Sequence, residues 1–282
     1  MRNYPAALLL ILAQAAHSQA VLIDHPFAAG TARFGAPQGF VGDHFVLGSR
    51  GEVWVIDSLS TWVGAADVHG TVKLFGGIEA ELPAAEPAQP DCACHYPTVI
   101  KSGAAGTDIR VSAAAPGVWR VDFQDLKWSV PGGVPIQFGV SGAGRNTAAP
   151  TTSLHALRLF DENGRPLGRY TLDGKSPDPT LGLDIQVRGH RTVPVVFRSS
   201  GAMLEVSLQA GNGFEPGDAD PGSLHLGARR VPPVRITEAG KALLLDFQRE
   251  EIAPRPGELS VCLSGTLRGR IPFEGCDRLP DR

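Results

Sequence analysis

Long apolar runs are missing from this sequence beyond residue 16, and no later segment approaches the ~20 continuous apolar residues that a membrane helix needs. An excess of one charge sign is missing too. Lys and Arg number 26 against 29 Asp and Glu, a net of −3, which leaves no basic face for a nucleic acid to contact. No basic amphipathic helix is present that would lie on a lipid surface. Helical periodicity is scarce: outside the first twenty residues no such pattern exceeds about ten residues. Several catalytic signatures are also absent. There is no H-E-x-x-H, no phosphate-binding loop and no dinucleotide glycine fingerprint. The nearest approach to a nucleophile elbow, Gly139-Val140-Ser141-Gly142-Ala143, fails at its last glycine and lies where no helix is expected to follow.

The N-terminus supplies the first positive signal. Met1-Arg2-Asn3-Tyr4 is short and positively charged, Ala6 to Ala16 is apolar except for Gln14, and Ser18-Gln19-Ala20 places small residues where a signal peptidase reads. Charge, a short apolar stretch and a small-x-small end are the three parts of a secretory signal. Residues 1–20 are therefore expected to be a signal peptide, leaving a secreted, periplasmic or extracellular chain from Val21 with no membrane insertion after cleavage. At 43% hydrophobic that chain can bury a core.

The dominant pattern thereafter has period two. Val53 to Leu59, Val72 to Phe75, Trp119 to Phe123, Leu157 to Phe160, Val193 to Phe197, Leu204 to Leu208 and Leu243 to Phe247 alternate apolar and polar residues and read as strands with one face buried. Glycine and proline punctuate them, and Asp161-Glu162-Asn163-Gly164-Arg165 reads as a hairpin turn because Asn-Gly accepts positive φ cheaply. Leu82 to Pro97 reads as a long surface loop and Asp173 to Thr180 as a linker. The expected fold is all-β: two antiparallel β-sandwich domains in series, of jelly-roll or immunoglobulin-like kind, over 21–175 and 176–282.

Certain blocks carry a resemblance. Asp184-Ile185, Thr192-Val193-Pro194-Val195-Val196-Phe197, Asp220-Pro221-Gly222-Ser223-Leu224-His225-Leu226-Gly227, Cys262-Leu263-Ser264-Gly265 and Ile271-Pro272-Phe273-Glu274-Gly275-Cys276-Asp277 follow one another over roughly the last 100 residues. In order and spacing they resemble a C-terminal β-module of secreted bacterial proteins of unknown function. That module usually carries an acidic loop like those that bind calcium, where successive carboxylates meet a hard cation. Here Ile236-Thr237-Glu238-Ala239-Gly240-Lys241 has one carboxylate and a lysine, so this copy is expected to have lost any such site. Residues 41–144, opening on Gly42-Asp43-His44-Phe45-Val46-Leu47, resemble the β-sandwich heads of bacterial secreted proteins. Neither resemblance implies an activity or functional residues to transfer.

The four cysteines of an exported chain would be oxidised in pairs. Cys262 and Cys276 flank a turn at Thr266 to Arg270, so a disulfide across a hairpin is expected there, as in the module resembled. Cys92-Ala93-Cys94-His95 is open to three readings: structural disulfide, free or redox-active thiols, or a metal site using Cys92, Cys94 and His95 with help from His25 or His69. Haem attachment needs one more residue between the cysteines. For catalysis, Glu79, Glu81 and Asp122 are ordinary carboxylate candidates, and no catalytic residue or cofactor is assigned. Trp54, Trp62, Trp119 and Trp128 lie in or beside strands. Trp54 reads as core, whereas Trp62 and Trp119, near glycine turns, are candidates for stacking on a sugar ring. The function expected is that of a non-catalytic exported binding or surface-assembly module, with a polysaccharide or another surface protein as candidate partner. The alternative is an extracellular polysaccharide hydrolase.

Overall fold

The computed structural model describes residues 20–28, 32–34, 39–78, 97–150, 158–169, 181–252, 260–268 and 270–280. The chain is all-β. Three single-turn 3₁₀ segments, Pro216–Asp218, Pro221–Ser223 and Arg249–Glu251, are the helical content among the described residues. No helix among them is long and apolar enough to cross a membrane.

Period-two alternation drives the strands into three sheets. A six-stranded sheet runs in the order Pro166–Arg169, Arg158–Phe160, Phe40–Val46, Pro135–Ser141, Thr71–Ile78, Thr98–Ala104. A four-stranded sheet runs Val195–Ser200, Met203–Gln209, Ala242–Gln248, Arg235–Ala239. The third sheet has twelve strands and faces both of the others. Its first part is built around the long strand Val53–Gly64 and supplies Trp54, Ile56, Leu59 and Val63 to a core shared with Val72, Leu74, Ile136 and Phe138 of the six-stranded sheet. Its second part, Ser260–Thr266 with Pro272–Arg278 and the short His225–Leu226, supplies Leu226, Val261, Leu263 and Phe273 against Leu204, Val206, Leu245 and Phe247. At about 25 cal/mol per Å² of apolar surface, burying side chains of this size contributes roughly 1.5–3 kcal/mol each before ordering costs. Two sandwiches result, and they share a sheet.

The expected junction near residues 175/176 lies outside the described residues. Leu183, Ile185 and Val187 belong to the first core and Val193 begins the second, so the change of core comes within the strand Ile185–Thr192. One edge of that strand pairs antiparallel with Val53–Gly64, from Ile185↔Thr61 to Thr192↔Val53. Its other edge pairs antiparallel with Ala20–His25 over Ile185 to Gly189 and then parallel with Phe273 and Glu274 at Arg191 and Thr192. All backbone donors and acceptors along a central strand need partners, and here three elements provide them.

Local chemistry explains the turns. At Asp161 to Arg165, the Asp161 carboxylate accepts from the backbone N–H of Asn163 and Arg165, both at 2.8 Å. Only Gly164 takes positive φ (84°), so the turn is an Asx-supported one rather than the two-residue Asn-Gly hairpin loop. Ala239 pairs with Ala242, leaving Gly240-Lys241 as a two-residue hairpin loop, so Ile236 to Ala239, expected within a loop, belong to a strand. Cys262 and Cys276 sit directly opposite each other in their hairpin and are bonded, with Cα atoms 4.0 Å apart.

A register shift marks the central pairing. Gly189 is opposite Ile56 and Arg188 opposite Ser58, so Asp57 is the extra residue of a β-bulge. The backbones close tightly there: a Cβ on Gly189 would lie 2.1 Å from the Val55 carbonyl oxygen. Gly189→Ala is therefore expected to destabilise the protein by about 3 kcal/mol in urea or thermal unfolding, at the upper end for overpacking. Gly217→Ala, where nothing lies within 4 Å, should shift stability by no more than about 0.5 kcal/mol. Equal effects from the two would disprove the close approach.

Candidate functional site

Because side chains alternate across a strand, Ile185, Val187, Gly189 and Arg191 face inward while Gln186, Arg188, His190 and Thr192 face the outside of the large sheet. The neighbouring strands follow suit, and directly paired residues form a row. Arg110 pairs with Asp122, Asp122 with Ser60, Ser60 with Gln186 and Gln186 with Asp24. Five strands contribute one polar residue each, spanning four inter-strand spacings or about 19 Å. The row is held rigidly. Ser60 Oγ donates to Asp122 Oδ1 at 2.5 Å, and Arg120 donates to the same oxygen at 2.7 Å and to Ser60 Oγ at 2.9 Å. Gln186 accepts from Arg120 at 3.3 Å and donates to Asp24 at 2.9 Å.

One end of the row opens into a cleft of about 250 Å³ at the corner where the two sheets of the first sandwich meet. Lys101, Thr107, Asp108, Arg110, Asp122, Gln124 and Asp125 line it with Gly106, and Val111 is its one aliphatic side chain. The Asp108 carboxylate accepts from the Ala104 N–H at 2.8 Å, folding the turn that forms one wall. Lys101 Nζ donates to the Gln124 carbonyl, closing the opposite wall. Arg110 and Asp125 are exposed, and no side-chain hydrogen bond or ion pair engages either among the described residues. They are the groups available to a ligand.

The sequence-derived candidates distribute unevenly around this surface. Asp122 lies in the cleft, with its Oδ1 already engaged by Ser60 and Arg120. Glu79, Glu81, Cys92, Cys94 and His95 lie outside the described residues. His25 ends its strand exposed, and His69 is a surface side chain 3.7 Å from Asp67. Trp62 does face outward, but it is only 5% exposed and the Arg120 guanidinium lies over its ring at 5.4 Å, so it offers no open face for a sugar. Trp119 faces inward, half-buried against the first core, with its indole N–H donated to the Ala65 carbonyl at 3.3 Å. Trp54 is core as expected, its N–H bonded to Glu52 at 3.0 Å. Trp128 packs edge-on to Phe45. The motif residue Asp43 is buried and accepts from the Leu183 N–H at 2.7 Å, a structural role.

Further along the same face, the bulge turns Asp57 toward His190. Its Oδ2 lies 2.9 Å from Nδ1, while Glu274 Oε2 lies 3.3 Å from Nε2. Burial alone would lower the pKa of the imidazole. The Asp57 hydrogen bond and charge, with the Glu274 charge, outweigh it and hold the His190 pKa above its ordinary value. Asp57 comes from the first sandwich and Glu274 from the second. Arg191, on the inward side, completes a second clasp: it pairs with Glu52 at 3.4 Å and donates to the Asn212 carbonyl at 2.8 Å. Sequence reading missed His190, Arg191 and the cleft, since none of them forms a local motif.

Asp184 is a contrasting carboxylate. It is fully buried, and among the described residues neither oxygen accepts a hydrogen bond of ordinary geometry. The nearby Thr147 hydroxyl donates instead to the Trp62 carbonyl at 3.2 Å. Burial raises the Asp184 pKa, against smaller opposing effects of Thr147 and His25. A raised folded-state value favours the protonated acid, so its contribution is fully favourable below the unfolded value of 3.8 and is lost as pH rises through the folded value. Asp184→Asn should accordingly raise the melting temperature at neutral pH, by an amount that shrinks on acidification toward pH 4. An advantage that grows on acidification would contradict this account.

No protein-family model matches the chain, and no curated protein or solved structure matches it either.

Proposed function

We propose that this protein is an exported, non-catalytic binding module whose recognition surface is the polar cleft between Lys101 and Asp125, extended by the Arg110–Asp24 row, and whose ligand is a polyhydroxylated chain such as a polysaccharide. The secretory signature at residues 1–20 and the disulfide between Cys262 and Cys276 support export. The observation that carries the ligand class is the composition of the cleft. Guanidinium, ammonium, carboxylate, hydroxyl and amide groups alternate around about 250 Å³ with one aliphatic side chain. Sugar hydroxyls both donate and accept, so neighbouring cationic and anionic groups bind adjacent hydroxyls together. An apolar ligand would gain little burial here. Recognition then rests on hydrogen bonds rather than on stacking against Trp62 or Trp119.

The test passes the chain from Val21 to Arg282 over a panel of soluble and insoluble polysaccharides and scores retention and released sugar together. Retention without release is expected from at least one glycan. The Arg110→Ala/Asp125→Ala double variant should weaken it about tenfold, since each lost hydrogen bond contributes roughly 0.5–1.5 kcal/mol. Arg235→Ala, on the remote edge of the four-stranded sheet, should leave retention unchanged. Released sugar would overturn this reading in favour of a hydrolase. Retention by no glycan, or retention indifferent to the cleft variant, would overturn the assigned surface.

A further inference from the structure

The outward face of the large sheet carries a second cluster at its other end. Cys262, Glu274 and Cys276 project there from the C-terminal hairpin, and one ligand atom of each lies within 4.8 Å of the other two. Glu274 in turn meets His190. We propose that this is a redox-gated site for a tetrahedral divalent metal such as zinc: closed while Cys262 and Cys276 are joined, and opened on reduction to a set of two thiolates, the Glu274 carboxylate and the His190 imidazole. It is independent of the glycan reading and uses none of the cleft residues.

Four observations point the same way. First, the residue types suit zinc, which takes cysteine sulfur at about 2.3 Å and histidine or carboxylate ligands at about 2.0–2.2 Å. Second, His190 Nε2 and Glu274 Oε2 are 3.3 Å apart. That is longer than the ~2.7–2.9 Å of a charge-assisted hydrogen bond, and it is about the edge length of a tetrahedron with bonds of that length. Third, His190 lies just outside that three-residue cluster and reaches it through Glu274. Asp57 holds Nδ1 at 2.9 Å, leaving Nε2 to face Glu274, and a carboxylate on the second ring nitrogen is the usual support of a metal-bound histidine. The bulge that aims Asp57 at the ring serves no pairing need of its own. Fourth, the site is reachable, since Cys276 is exposed and Cys262 half-buried. All four ligands stand on paired strands, so reduction frees the sulfurs to part without releasing the backbone.

The chemistry balances. A dithiol reductant gives two electrons and two protons to the Cys262–Cys276 bond and leaves as its own disulfide. The metal then displaces the two thiol protons, and the proton of His190 where it is bound, to solvent. A small-molecule disulfide takes the two electrons back, leaves as its own dithiol after taking up two protons from solvent, and the re-formed Cys262–Cys276 bond expels the ion.

Cobalt(II) is the probe, because thiolate ligation and tetrahedral geometry each give it distinctive absorption. The chain carries Cys92→Ser and Cys94→Ser, which removes the other cysteines and their competing ligands. It is reduced with a water-soluble phosphine, which takes up an oxygen from water as the disulfide gains two hydrogens, and then desalted without air. One cobalt per reduced chain is expected, with thiolate-to-cobalt charge transfer and tetrahedral bands, and none per oxidised chain. Glu274→Gln and His190→Ala should each weaken binding at least tenfold. Should reduction cost the chain its fold, melting is the second readout: zinc should restore a cooperative transition in the reduced chain and leave the oxidised one unmoved. Failure of cobalt to bind a folded reduced chain would overturn the proposal. So would binding indifferent to Glu274→Gln and His190→Ala, or a reduced chain that zinc does not refold; the disulfide would then be structural only.

Discussion

A strand inside a sheet must find hydrogen-bond partners along both edges, and in this protein the strand Ile185–Thr192 meets that demand with three separate elements. Val53–Gly64 covers one edge throughout. Ala20–His25 covers the first half of the other edge and Pro272–Arg278 takes over where it stops. The N-terminal strand, the longest strand of the first sandwich and the last strand of the second therefore depend on one eight-residue segment. Its inward side chains change from Ile185 and Val187, in the first core, to Arg191, which reaches Asn212 in the second sandwich. Its outward His190 lies between Asp57 of the first and Glu274 of the second. Backbone pairing and two charged clasps thus fix the halves to each other at the same place.

That arrangement has a functional consequence. With the inner face of the large sheet given to two cores, its outer face is the surface on which polar side chains can be arrayed over a long distance without loop flexibility. Each pairing register sets a row, and the rows run from the Lys101–Asp125 cleft through Asp122, Ser60 and Gln186 to Asp24, then along the face to His190 and the Cys262–Cys276 hairpin. Sites built on strands hold their groups more accurately than sites on loops. Beneath that face, Gln137 Nε2, Arg191 Nε and the Asp184 carboxylate are buried without a hydrogen-bond partner among the described residues, and Asp184 is the one that titration should expose.

Much of the architecture was legible in the sequence, for local reasons. Period-two alternation identified Val53 to Leu59, Trp119 to Phe123, Leu204 to Leu208 and Leu243 to Phe247 because each buries one face against a single opposing sheet. The Cys262–Cys276 pairing was legible because the cysteines flank one short turn. The candidate site was not. Cleft residues Lys101, Asp108, Arg110 and Asp125 look like ordinary surface charges until the turns at 104–110 and 124–127 fold them together. Asp57 becomes special only through a bulge, which depends on pairing with residues some 130 positions away. Trp62 read as an edge residue because glycine follows it, whereas Arg120, brought alongside by pairing, covers its ring.

The central claim is that Ile185–Thr192 is the common support of both sandwiches, and native-state hydrogen exchange on the chain from Val21 measures it most directly. The backbone amides of this strand should exchange only through global unfolding, with the same opening free energy as those of Leu59 in the first core and Leu204 in the second. Exchange as fast as that of the exposed edge strand Arg235–Ala239, with both cores still protected, would contradict the account.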